Sequence, residues 1–192
     1  MFKQGVFMAH RFSDITFTES VLAMQQRFGS YEKSAVVRQR MPDFDRFSER
    51  EADFIQARDS FYMASVGEDS WPYIQHRGGE AGFLQVLDEE TLAFGNFSGN
   101  GQYQSLGHFS KNDKVALFLM DYPHRRRLKI LGRVKLLSVE EHLKLYADQM
   151  ESSAKAESFI HIKLEAFDWN CSKHITPRLT ETEWARESNK GA

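Results

Sequence analysis

Pro72-Tyr73-Ile74-Gln75-His76-Arg77-Gly78-Gly79, then Gly95-Asn96-Phe97-Ser98-Gly99-Asn100-Gly101-Gln102-Tyr103-Gln104, then Arg125-Arg126-Arg127-Leu128-Lys129-Ile130-Leu131-Gly132 all fall between Trp71 and Gly132, each beside a β-rich segment. Strands that only fill a core rarely carry this much Arg, His, Asn and Gln. The basic side chains suit a phosphate, and the amides suit the polar edge of a flat heteroaromatic ring. The combination points to a nucleotide-like cofactor.

Working outward, Phe61–Val66 is rich in β-formers, Gly67-Glu68-Asp69-Ser70 reads as a turn, and Trp71–His76 continues as a second strand. Phe83–Leu87 and Thr91–Asn96 flank Asp88-Glu89-Glu90 as a hairpin. A short helix is expected over about Gln102–Phe109. Lys114–Met120 is almost wholly apolar and predicts a strand buried on both faces. Leu128–Leu137 predicts a long strand with Gly132 in its middle, the mark of a bulge or sharp bend. Phe159–Phe167 is a last strand, alternating at Ile160, Ile162 and Leu164. Six or so strands with short connections and few helices argue for a mainly β fold, a small β-barrel with helical additions.

The region before Phe61 reads as helical. Thr16-Phe17-Thr18-Glu19 has the pattern of a capping box and opens an amphipathic stretch to Phe28, stopped by Gly29. A polar connector containing Pro42 follows. Ser48-Glu49-Arg50-Glu51 and Ser138-Val139-Glu140-Glu141 repeat the capping pattern, opening helices to about Arg58 and about Met150. Thr180-Glu181-Thr182-Glu183 starts a short terminal helix. The expected division is an N-terminal helical extension over 1–47 and the barrel domain over 48–192.

Composition narrows the function classes. A chain of 192 residues supports one well-buried core, and 41% hydrophobic with 27% charged residues is ordinary for a soluble protein. A formal net charge of −2 supplies no bulk field for nucleic acid, so an anion site must be a local cluster. Cys171 is the single cysteine, which excludes an intrachain disulfide and the usual Cys-based metal sites. No HExxH, His-x-His or Gly-x-Ser-x-Gly pattern occurs, so neither a metal centre nor a serine triad is expected. No apolar run approaches the ~18–20 residues of a membrane span, and the start does not read as a signal peptide. The expected location is cytoplasmic, with no membrane and no nucleic-acid partner.

Each polar run has two readings. Arg77, followed by two glycines, suits bidentate phosphate binding, or it is a solvated arginine at a strand end. Gly99-Asn100-Gly101-Gln102 precedes a helix, whose first amides suit an anion, or Asn100 is simply its N-cap. His124–Arg127 is a phosphate or RNA-backbone cluster, or a charged edge that discourages strand pairing. Alternation puts Arg125, Arg127 and Lys129 on one face and Arg126 on the other. Trp169 either covers a ring by stacking or is a buried cap. Lys173 suits an anion, and nothing marks Cys171 as a nucleophile.

Taken in order, these segments resemble the pyridoxamine 5′-phosphate oxidase-like family, the flavin mononucleotide (FMN)-binding split barrels. The resemblance runs from about Ser48 to His174. It is carried by Pro72–Gly79 with Gly82-Phe83-Leu84, by Leu92–Leu106 and by Arg126–Leu137, while Trp169-Asn170-Cys171-Ser172-Lys173 looks like a subgroup of that family. It implies a six-stranded split barrel that forms a homodimer, with FMN in a groove between subunits. By matching position, Gln75, His76 and Arg77 would line the flavin, as would Phe94, Gly95 and Asn96. Asn100 and Gln102 would lie near the phosphate, Arg127 before the bent strand, Trp169 over the ring, and Lys173 at the anion site. The implied function is an FMN-dependent oxidoreductase of a small molecule, with NAD(P)H as a candidate electron donor. The flavin carries the chemistry, so no catalytic acid or base is named. Two departures count against vitamin B6 oxidation. The tail His174-Ile175-Thr176-Pro177-Arg178 lacks the Arg-x-His of the oxidases proper, and Asn100-Gly101-Gln102 replaces a basic pair. The alternatives are a non-catalytic flavin-binding or stress-response module, and a haem or deazaflavin barrel with His76 or His174 as haem candidates.

Overall fold

Alternating burial sets the sheet. Phe61, Met63 and Ser65 of β1 (Ser60–Val66) turn inward, as do Val115, Leu117 and Leu119 of β5 (Lys114–Asp121) and Leu128 and Ile130 of β6 (Arg126–Leu137). With β2 (Pro72–Gly78), β3 (Gln85–Asp88), β4 (Thr91–Phe97) and β7 (Ala156–Trp169), these make one antiparallel sheet of seven strands, ordered β2-β1-β5-β6-β7-β4-β3. The computed structural model describes residues 11–40, 44–146, 156–169 and 172–190. Its strand count exceeds the implied six by one, and β3 is the shortest of them at four residues.

The edge strands β2 and β3 are not hydrogen-bonded to each other, yet the sheet curls until its ends meet. Phe61 of β1 stacks on Phe83 at 5.5 Å and meets Phe94 of β4 edge-on at 5.3 Å. The result is the split barrel, filled by Leu84, Leu92, Ile160, Ile162 and Phe167. Strand β5 differs from expectation. Its inward residues are buried, but Ala116, Phe118 and Met120 are only half-buried on the outer face.

Curling needs a bend, and β6 bends at Gly132. The register with β7 shifts between Leu131 and Gly132. A Cβ on Gly132 would lie 2.5 Å from Ile162 Cγ2 and 2.7 Å from the Lys163 carbonyl oxygen. A bulge here increases the local twist, and only glycine allows the close approach.

Seven helices complete the described chain: α1 (Arg11–Thr16), α2 (Glu19–Arg27), α3 (Tyr31–Arg40), α4 (Glu49–Gln56), α5 (Gln104–Phe109), α6 (Val139–Tyr146) and α7 (Glu181–Lys190). None is long and apolar enough to cross a membrane. Three of the four capping patterns form. Ser48 donates from its backbone N–H (3.2 Å) and its hydroxyl to Glu51. Ser138 and Glu141 exchange bonds at 2.8 and 3.2 Å, and Thr180 and Glu183 do the same. The fourth does not form, because Thr16 closes α1 by donating to the Phe12 carbonyl at 2.8 Å, and Thr18 takes the N-cap position of α2. The helix expected to about Met150 is described as far as Tyr146, and Pro42 and Met150 lie outside the described residues.

Helix α6 docks through a buried histidine pair. His142 Nδ1 lies 2.8 Å from His161 Nε2 on β7, and the His142 ring stacks on Phe159 at 3.8 Å. Tyr146 of α6 packs beside both rings, and Ala93 of β4 and Lys135 of β6 pair with His161 on either side. Burial pushes His161 down to about 4, helped by His142 and Lys135, and burial lowers His142 as well.

Two outcomes are expected. Gly132→Ala should lower stability by about 1–3 kcal/mol through overpacking, read as a shift of the urea midpoint. For the histidines, the unfolded chain takes up protons near pH 6.5 that the native pair refuses. Their contribution is therefore complete above pH 6.5 and is lost as pH falls toward about 4. Denaturation at stepped pH should show this loss, of order 3 kcal/mol, and His161→Gln should flatten the slope.

Candidate functional site

A cleft opens where the barrel is split. Alternation on edge strand β2 sends Tyr73, Gln75 and Arg77 to the inner side, facing the end of β4 and helix α5. Ser105 of α5 donates its hydroxyl to Gln75 Oε1 at 3.0 Å, and the Tyr73 hydroxyl donates to Gln104 Oε1 at 3.4 Å. His108 Nδ1 lies 2.9 Å from the Ser65 hydroxyl and ties α5 to β1. The loop before α5 is held by Asn100, whose Oδ1 accepts from the Gln102 amide at 3.1 Å, and by Gln104 donating to Gln102 Oε1 at 2.9 Å. Tyr103 then sits at φ +50, so α5 starts at Gln104 rather than at the expected Gln102, and Asn100 is not its N-cap. The cleft between these parts is about 60 Å³, room for a phosphate-sized group but not for three fused rings.

Arg77 dominates its electrostatics. The guanidinium is half-buried, lies 5.7 Å over the Phe94 ring and forms no ion pair with a described residue. Its Nε is buried without a partner, and burial lowers its affinity for its proton. Several other cations are matched. Arg126 meets Asp121 at 2.7 Å, Arg58 meets the same carboxylate at 3.7 Å, and Lys129 meets Asp168 at 2.7 Å. A desolvated cation without a counter-charge is costly, and an anion from outside the chain would remove that cost.

The structure brings together Gln75, Arg77, Asn96 and Asn100 around this cleft, with Gln102 bracing the loop. Phe94 is buried beneath Arg77 as an apolar floor. Gly95 leaves space that the Phe97 ring occupies, 3.0 Å from where a Cβ would be. His76 points to the opposite face of β2 and packs edge-on against Tyr62 at 5.7 Å. Arg127 also lies away from the cleft, on the wall of a cavity of about 700 Å³ over the outer face of β1, β2, β5 and β6. Trp169 caps the barrel end, donating its Nε1–H to Glu51 Oε1 at 2.7 Å and meeting Phe54 edge-on at 4.7 Å. Lys173 is exposed beyond β7 and does not line the cleft. Asn170 and Cys171 lie outside the described residues. Phe97, Tyr103 and Ser105 line the cleft without having been singled out. Two signals marked them, the aromatics flanking Gly99 and Gly101 and the polar Ser105 within an otherwise apolar helix face. Among the described residues no group of three His, Cys, Asp or Glu side chains is placed to hold a metal ion.

Comparison with known proteins agrees with this architecture. The family model described as Pyridoxamine 5′-phosphate oxidase matches residues 47–171. The protein HupZ of Group A Streptococcus aligns with 69% of this chain and 99% of its own, at 14% identity and a TM-score of 0.51. A candidate pyridoxamine 5′-phosphate oxidase of Lactobacillus delbrueckii aligns over 65% and 94%, at 18% identity and a TM-score of 0.51. An FMN-binding protein of Syntrophomonas wolfei aligns over 76% and 97%, at 10% identity and a TM-score of 0.45. The first two likenesses are likenesses of fold. No curated protein gives a significant match.

Because Arg77 has no internal counter-charge, its removal should not weaken the ligand-free protein. Arg77→Met is expected to hold or raise the urea midpoint. A loss above about 1 kcal/mol would mark the side chain as structural.

Proposed function

Because this chain belongs to the pyridoxamine 5′-phosphate oxidase family, we propose that it binds FMN with the phosphate at Arg77 and works as an FMN-dependent oxidoreductase on a small molecule. The observation that carries the reading is Arg77 itself, half-buried, unpaired and set in a cleft of amide and hydroxyl groups. A phosphate of about −1.5 to −2 charge supplies the missing counter-charge. The amides of Gln75, Asn96 and Asn100 offer donors around the same point. Bound flavin supplies hydride or electron transfer, and the protein positions and shields it. NAD(P)H is the proposed electron donor.

The size of the cleft supports a homodimer. At about 60 Å³ it holds the phosphate end, so the ring must lie outside it. On its rim the protein exposes Phe97 and Tyr103, each about half accessible. A second copy covering this rim encloses the ring. Within one protomer Arg77 binds and orients the phosphate, Phe94 backs its guanidinium, and the Ser105–Gln75 bond fixes the amide of Gln75.

The purified protein should be yellow, with flavin absorbance bands, and should sediment as a dimer. Colourless protein that also fails to take up added FMN would refute the reading. Arg77→Ala should raise the FMN dissociation constant by roughly 10- to 150-fold, matching loss of a charged hydrogen bond worth about 1.5–3 kcal/mol. Quenching of flavin fluorescence measures it, and an unchanged constant would remove Arg77 from the site.

A further inference from the structure

A separate cavity of about 320 Å³ lies between the N-terminal helices and the barrel wall. Its volume is near the bottom of the roughly 300–1,000 Å³ range of small-molecule sites. Phe12, Phe17 and Val37 give it apolar walls, and Lys33, Ser34 and Arg38 of α3 give it polar ones. The barrel contributes Lys129 and Asp168 alone, so the rest of the lining precedes residue 47, where the family match begins. Lys129 also borders the larger outer-face cavity, but its ammonium sits on this side, 4.5 Å over the Phe12 ring and 2.7 Å from Asp168.

Helix α3 is weakly held by the protein itself. It buries none of its residues, and Val36 and Val37 stay nearly half exposed. Most helical stability in a protein comes from packing an apolar face, and α3 has little of it. Its polar residues are placed differently. Arg38 is half-buried over the Phe17 ring at 5.3 Å, and its Nε is enclosed without a partner. Neither Arg38 nor the exposed Lys33 forms an ion pair with a described residue. With Lys129 matched by Asp168, Lys33 and Arg38 leave the cavity locally positive. An enclosed guanidinium N–H without an acceptor is costly, and an acceptor from outside the chain would remove that cost.

We propose that this cavity binds a small phosphate monoester with an apolar body, and that the ligand clamps α3 to the barrel. A phosphate of about −1.5 to −2 charge matches the two cations that lack a partner. Its oxygens accept from the Arg38 guanidinium, the Lys33 ammonium and the Ser34 hydroxyl, and its body lies against Phe12, Phe17 and Val37. A monocarboxylate would leave one cation unmatched, and inorganic phosphate would leave the apolar walls unfilled. This site stands without the flavin reading, because the Arg77 cleft shares no lining residue with it.

The probe is phenyl phosphate, titrated calorimetrically into the full chain beside inorganic phosphate, phenol and phthalate. The protein carries Arg77→Met, so that the flavin phosphate cleft does not compete. Phenyl phosphate should bind at least about tenfold more tightly than inorganic phosphate or phenol. Adding Arg38→Ala should weaken it by at least about tenfold, Arg38→Lys should recover part of the loss, and Arg127→Ala should change nothing. Near-ultraviolet circular dichroism establishes that each variant is folded. The clamp is read by amide hydrogen exchange across 31–40. Phenyl phosphate at ten times its dissociation constant should slow that exchange by about tenfold, and should leave it unchanged in Arg38→Ala. Absence of binding, or binding untouched by Arg38→Ala, would overturn the site. Tighter binding of phthalate than of phenyl phosphate would overturn the phosphate assignment in favour of a dicarboxylate. Binding through Arg38 with unchanged exchange in α3 would overturn the clamp.

Discussion

The architecture depends on the contact at Gly132, where β6 passes Ile162 and Lys163 too closely for any side chain. Strand β6 pairs with β5 on one side and β7 on the other, so its bend is transmitted to both halves of the sheet. The halves then face each other, and β2 approaches the end of β4 without bonding to β3. That unbonded seam is the space in which Arg77 meets Phe94, Asn96 and the loop before α5. A flatter sheet would leave Arg77 in water, where an arginine needs no partner.

The ion pairs give this arrangement its contrast. Asp121 is buried and surrounded by Arg126, Arg58 and His124, which together close one end of the barrel beneath α4. Arg133 bridges Asp113 and Glu165, and Arg46 bridges Glu89 and Glu90. Exposed pairs of this kind contribute little to stability. Their use here is to show how readily this chain matches its cations. Arg38, Arg77 and Arg127 are the half-buried arginines without an ion pair among the described residues, and each borders a cavity.

Much of this was legible in the sequence where the deciding physics is local. The boxes at Ser48, Ser138 and Thr180 are reciprocal bonds across three residues, and strand alternation is a property of neighbours. The box at Thr16 failed for an equally local reason, since a threonine inside a helix can bond backward to the preceding turn. Alternation alone would also have separated His76 from Gln75 and Arg77. What the sequence could not disclose is non-local. Trp169 is claimed by Glu51, 118 positions away, and so caps the barrel instead of reaching the cleft. The apolar run Lys114–Met120 read as buried on both faces, but half of it forms the wall of an open cavity. Periodicity does not distinguish a core from a binding wall.

Glu51 also constrains how the chain is made. Its carboxylate caps α4 and accepts from Trp169 at the far end of β7, while Arg11 of α1 reaches Glu165 on that same strand, 154 positions away. Helices made first therefore lack their docking partners until the last strand has emerged. Such long-range contacts slow folding, because loop-closure entropy is lost before the contacts reward it. Strand β7 is thus the one element that holds both α1 and α4 through these long-range side-chain bonds.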